Sequence, residues 1–269
     1  MILVTGATGT VGSALVSALL TRGEQVTALT RDPAKIEPRP GLTVTTEIGK
    51  ADAIFLLAPP GPGIPALDQA MLAAAETAEI PRLVKLSAIG TPSGRTVNAR
   101  PEVGSWHQPG EIALQDSGRS WTILRPTVFA SNTLAWASDI RAARPIPNLF
   151  GAGRQGVIDP TDVAEAAAEV LTTPGHEGRT YTLTGPTLLT VPDQAAILAT
   201  VLGVPITTRD VPLAEARPFF PPDLADVALA GAALVREDGN AILTPDTAEL
   251  LGRPPTPFRA WVEAHRDSF

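Results

Sequence analysis

The chain has 269 residues, 44% of them hydrophobic and 18% charged, with a formal net charge of −7 and no cysteine. That length allows one large domain, or a domain with a smaller lobe. The acidic balance argues against a nucleic-acid face, the lack of cysteine excludes disulfides and a thiol nucleophile, and three scattered histidines argue against a metal centre. No apolar run approaches the roughly 20 residues that span a bilayer. No basic, apolar leader precedes Ile2. A cytoplasmic protein acting on a small molecule is therefore expected, with neither nucleic acid nor membrane as partner.

The first strand is predicted over residues 2–5 and the first helix over 11–22, stopped by Gly23. Between them GATGTVG places Gly6, Gly9 and Gly12 three residues apart. In a strand–turn–helix unit the first glycine permits the tight turn and the second lets main chain approach a pyrophosphate. The third lets helix and sheet pack closely. Thr8 lies in the turn, and amides near Thr10 and Val11 point at the anion with the helix dipole behind them. A dinucleotide site is predicted from Gly6, Thr8, Gly9, Thr10, Val11 and Gly12.

A second strand, over 25–30, ends Leu29-Thr30-Arg31-Asp32. An acidic residue there takes the ribose hydroxyls of NAD, whereas an arginine accommodates the 2′-phosphate of NADP. Arg31 comes first and Lys35 offers a second cation one turn further, so NADP(H) is expected in preference to NAD(H), which Asp32 keeps open. A third strand over 42–46 leaves only residues 47–52 to reach a fourth at 53–58. In the strand order 3-2-1-4 those two lie about 14 Å apart, and six extended residues reach about 20 Å. No crossover helix fits, and the third strand is predicted to be stunted or irregular.

Further along, a helix is predicted over 66–78, a strand over 82–89, a helix through 112–116 ended by Gly118, and a strand over 121–124. This alternation implies an α/β fold with a doubly wound, Rossmann-type parallel sheet. After Pro126 the rhythm loosens. Residues 144–156 read as Pro- and Gly-rich loop, 162–171 as a helix and 179–184 as a strand. From Pro192 onward come short helices broken by prolines at 205, 212, 218, 221 and 222. Residues 1–130, with 157–185 returning to them, are expected to form the NAD(P)-binding domain. Residues 131–156 and 186–269 are expected to form a smaller C-terminal substrate-binding lobe.

The stretches GATGTVG, TRDPAK, LVKLSAIG, WHQPGEIALQDSGRSWTILRPTVFASN, GVIDPTDVAEAAAEVL and HEGRTYTLTGP cover most of the chain. In that order they resemble the NmrA-like atypical short-chain dehydrogenases, of the quinone oxidoreductase and triphenylmethane-dye reductase branch. The resemblance implies that Leu57, Ala58 and Pro59 line the ribose on the nicotinamide side, and that Ser87 faces the nicotinamide pocket. It also implies a substrate-side wall from Val128, Phe129 and Asn132. One departure is plain: the family usually has an acidic residue and then a helix after strand 3, and TTEIGKAD stands in their place.

Typical short-chain dehydrogenases protonate a strongly basic alkoxide with a Tyr and a Lys four residues apart, the Lys lowering the tyrosine's pKa. The single tyrosine here is Tyr181, far along the chain. His107 and Glu111 hold the four-residue spacing instead. Hydride addition to a quinone gives a phenolate whose conjugate acid titrates near about 10, and addition to a cationic dye gives a neutral product. Neither needs a strong local acid, so positioning of donor over acceptor supplies much of the catalysis. The expected activity is an NADPH-dependent oxidoreductase that reduces a conjugated acceptor (quinone, dye or aromatic secondary metabolite) by hydride transfer without a Tyr-Lys pair. His107 is the candidate proton donor. Two alternatives stand beside it: a non-redox cyclase or isomerase on the same fold, and a non-catalytic NADP(H) sensor.

Overall fold

The structure, a computed structural model, describes residues 1–92 and 105–269. Seven parallel strands form its main sheet: β1 (Ile2–Val4), β2 (Val26–Leu29), β3 (Leu42–Thr45), β4 (Ala53–Leu56), β5 (Arg82–Leu86), β6 (Ser120–Pro126) and, after two short strands described below, β9 (Arg179–Leu183). Their order in space is β3-β2-β1-β4-β5-β6-β9, the doubly wound order in which the chain reverses beside β1. β1 and β4 are buried along their whole length, as expected of strands covered on both faces.

Helices α1 (Thr10–Thr21) and α5 (Pro160–Thr172) cover one face. Val11, Leu15, Val16 and Leu19 recur along one side of α1 and pack with Val4, Ala28 and Phe55 of the sheet. The buried alanines 164, 166, 167 and 168 of α5 belong to the same core. On the opposite face, α2 (Ile64–Thr77) and α3 (Gln108–Asp116) contribute Ala75 and Leu114 to a second core built around Leu3, Ile54, Leu83 and Ile123.

The third strand is short, at four residues, but it is not irregular: it pairs in unbroken register with β2 from Val26–Leu42 to Leu29–Thr45. What shrinks is the crossover that follows it. Residues 46–52 form no helix, and Ile48 and Ala51 lay their side chains on the core of the α2 face. The segment thus seals with two side chains a strip that a helix would otherwise cover.

Beyond the main sheet lie α4 (Ala137–Arg141), β7 (Ile146–Asn148), β8 (Gln155–Gly156), β10 (Leu188–Leu189), α6 (Val191–Leu202), β11 (Thr208–Asp210), α7 (Ala225–Arg236), α8 (Asp246–Leu251) and α9 (Phe258–Ala264). The stretch read as loop over 144–156 contains two strands, β7 pairing parallel with β11 and β8 antiparallel with β10. Nor are the late helices all short, since α6 and α7 run for 12 residues each. Pro192 sits in the first turn of α6, where its missing N–H would have had no internal acceptor. A capping box between Thr190 and Asp193 completes that helix start.

Trp261 and Phe258 of α9, Leu198 of α6 and Val128 form a separate core beside the sheet. α8 instead joins the main core through Leu250, and its Asp246 accepts the β9 amide of Thr182 at 2.6 Å. No helix among the described residues is long and apolar enough to cross a membrane.

Candidate active site

The C-terminal edge of the sheet is the end at which ligands bind in open α/β folds. Thr5 ties two strand ends together there: its hydroxyl accepts the Leu57 amide at 2.7 Å and lies 3.0 Å from the Phe55 carbonyl oxygen. Gly6 follows with φ +63, in the left-handed region that glycine adopts at little cost. Gly9 donates its amide to the Gly6 carbonyl at 2.9 Å. A Cβ on Gly12 would overlap that same carbonyl oxygen and lie 2.7 Å from its carbon. Turn and helix are therefore packed backbone on backbone.

No side chain caps the start of α1, which leaves its leading amides to an anion, with the dipole in support. Thr8, Gly9 and Thr10 are exposed and Val11 is buried beneath them. These features fit a dinucleotide diphosphate.

Beside this turn runs a cleft of about 510 Å3 between α1 and the β2–β3 connection. Thr8, Ser13, Ser17, Lys35 and Arg39 line it, together with Glu37. Arg39 donates to the Ser17 hydroxyl at 2.9 Å, which holds the guanidinium against α1. Lys35 lies 3.8 Å from Asp32 on the exposed loop. Arg31 is exposed and does not line the cleft. Reading the sequence missed Arg39. Nothing local marks it, and only the return of the chain into β3 brings it to the turn.

Leu57 packs against Gly6, whereas Ala58 is half-buried and Pro59 exposed. Val128 and Phe129 are half-buried and Asn132 is exposed. The Val128 carbonyl accepts the Ile158 amide at 2.9 Å, and Phe129 bridges to Ile158. Val128 faces the separate α6/α9 core while Phe129 packs on the sheet, so this segment joins the two.

Strand alternation puts Lys85, Ser87 and Arg125 on the α3 side, with Leu83 and Ile123. The buried Ser87 hydroxyl donates to Glu111 Oε1 at 2.5 Å. Arg125 clamps that carboxylate from the other side, with Nε 3.0 Å from Oε1 and a terminal nitrogen 2.5 Å from Oε2. Below them Lys85 Nζ lies 2.6 Å from Asp68 Oδ2, the two side chains 1% and 2% exposed. Burial pushes Lys85 down and Asp68 up from their ordinary values, each opposed by the charge of the other. The sequence carried a signal for this network, a lysine inside a buried parallel strand, but its partner lies on another element.

His107 immediately precedes α3. Burial, followed by the nearby charges of Lys85 and Arg125, lowers its pKa to about 3. At neutral pH the ring is therefore uncharged. Because unfolding restores a value near 6.5, the unfolded chain binds more protons between about pH 3 and 6.5, and stability falls as pH drops through that window. Thermal melts should show a loss on the order of 1–2 kcal/mol from this group between pH 7 and 5. A His107→Gln variant should lose less over the same range; parallel curves would contradict the assignment. Tyr181 is engaged elsewhere, its hydroxyl 2.8 Å from His176 Nδ1.

The profile of a family described as NAD(P)H-binding matches residues 6–174. A Streptomyces griseus subsp. griseus (4-alkanoyl-5-oxo-2,5-dihydrofuran-3-yl)methyl phosphate reductase is 37% identical, with 100% of this chain and 99% of that protein covered. An NAD(P)H azoreductase of Xenophilus azovorans is 31% identical at the same coverage. Among solved structures, the NADPH-dependent quinone oxidoreductase of Escherichia coli complexed with NADPH superimposes with a TM-score of 0.84 at 23% identity, covering 99% of this chain and 100% of the other.

Proposed function

We propose that this chain, an oxidoreductase of the NAD(P)H-binding family, reduces conjugated acceptors with NADPH. The observation that supports this reading is the Ser87–Glu111–Arg125 network, which contains no tyrosine, while the single tyrosine, Tyr181, is engaged with His176. The relatives' names fit: one acts on a conjugated acyl lactone, one on azo compounds.

The residues divide the work. Gly6, Gly9 and Gly12, with the first amides of α1, hold the diphosphate; Lys35 and Arg39, with Arg31 at the loop, supply cations for the 2′-phosphate. Leu57, Ala58, Pro59 and Ser87 border the nicotinamide, and Val128, Phe129 and Asn132 border the acceptor, with the lobe after residue 186 closing over it. When bound, the reduced nicotinamide supplies hydride. Glu111 holds the Ser87 hydroxyl in a fixed direction and Arg125 fixes Glu111. A cytoplasmic setting, where NADPH is maintained, suits this role.

The test is a panel read at the reduced-nicotinamide absorbance band: quinones, azo dyes and acylated unsaturated lactones beside simple aliphatic ketones. NADPH consumption confined to the conjugated compounds supports the reading; silence across all of them, or equal rates with the ketones, overturns it. On the cofactor side, Arg39→Ala should weaken NADPH binding about 10- to 100-fold, the worth of a charge-assisted hydrogen bond, and leave NADH unchanged. The same titration on Arg31→Ala measures that residue's share.

A further inference from the structure

His107 has two ring nitrogens in different surroundings. Nδ1 is buried and has no hydrogen-bond partner among the described residues. Nε2 is not among the buried unpartnered atoms, and no hydrogen bond from it is found there, while the residue as a whole is half-buried. Nε2 is therefore the nitrogen that reaches the surface. The charged groups whose fields act on the ring are Lys85 on β5 and Arg125 on β6, paired in turn with Asp68 of α2 and Glu111 of α3. A buried N–H left without an acceptor costs more than a buried lone pair on an aromatic nitrogen, so the single N–H sits on Nε2. One helical turn further along, Glu111 holds Ser87, so the outward N–H and the nicotinamide-side serine belong to one end of α3.

Building on the reductase reading above, we propose that His107 offers its Nε2–H as a hydrogen-bond donor to the carbonyl oxygen of the conjugated acceptor and keeps that proton. As hydride from NADPH adds at the far carbon of the conjugated system, the C=O π bond opens and its electron pair collects on oxygen. NADPH leaves as NADP+, the acceptor leaves as an enolate or phenolate, and water protonates it. A donor fixed before the reaction stabilises the charge where it develops, and an uncharged imidazole can fill that role.

Two measurements test this. Nitrogen NMR on the 15N-histidine-labelled protein, with His107→Gln to assign the signal, reads the ring without turnover. A single Nε2–H tautomer unchanged from about pH 5 to 8 supports the proposal, and protonation of both nitrogens near the ordinary histidine value overturns it. In kinetics with a quinone, His107→Phe should lower kcat about 100-fold, as loss of one oxyanion donor does. His107→Gln, whose amide N–H can stand in, should recover most of it. An unchanged rate in His107→Phe, equal losses in both variants, or a wild-type rate that falls as an acid deprotonates near neutrality would each overturn it. If the wild type reduces no acceptor, the functional reading fails on its own, while the NMR still decides the state of the ring.

Discussion

Gly12→Ala should abolish nucleotide binding: calorimetry is expected to show no heat with NADPH where the wild type saturates, and the variant should melt several degrees lower. The added methyl would overlap the Gly6 carbonyl oxygen and lie 2.7 Å from its carbon and 3.1 Å from Ala7 Cα. All three are backbone atoms, so no rotamer change relieves the overlap, and forcing it costs about 1–3 kcal/mol or more. The movement that relieves it pulls α1 away from the turn, and with it the amides that hold the diphosphate. Gly9→Ala is the control. Its Cβ would lie 3.3 Å from the same oxygen, and its φ of −86 suits any residue. That variant should fold nearly as the wild type does and lose affinity only because a methyl stands in front of the phosphates. Retained NADPH affinity in Gly12→Ala would contradict the packing described for the turn.

The second large effect lies beneath the site. Lys85→Met leaves Asp68, 2% exposed and already pushed up by burial, without the cation beside it. Removing one member of a buried pair costs about 3–5 kcal/mol. For a chain of this size that corresponds to a fall in Tm of about 10 °C. Asp68 has no room to turn away, because Gly110 packs against it so closely that a Cβ there would overlap the carboxylate. The double variant Lys85→Met/Asp68→Asn should regain most of the loss, since a buried neutral amide costs less than a buried charge. Unaltered stability in the single variant would mean that the pair is not buried as described.

These two sites differ in how far the sequence discloses them. The glycine turn is local: a strand, three glycines and a helix lie within twelve residues, and the spacing alone states the geometry. The sheet order was legible for the same reason, through alternation of short apolar runs and helices. The absence of a helix between β3 and β4 followed from a count of residues. The regularity of β3 did not, because four residues are enough to pair fully with a strand of equal length. Residues 144–156 looked like loop because β7 and β8 are short and each pairs with a strand far along the chain, a non-local pattern that no window detects. Arg39 and Asp68 were missed for that reason too. Each acquires its meaning from a partner, Ser17 or Lys85, that only the folded chain brings near. His107 was singled out as the side chain that titrates nearest neutrality; the burial that lowers its pKa depends on elements that only the folded chain brings around it.

The proposed chemistry depends on the front of the sheet accepting a phosphorylated nicotinamide dinucleotide. Calorimetric titration of the purified protein with NADPH and, separately, with NADH tests this most directly. The predicted result is one site per chain, with NADPH bound at least about tenfold more tightly than NADH, a difference of about 1.4 kcal/mol. No binding of either nucleotide would contradict it.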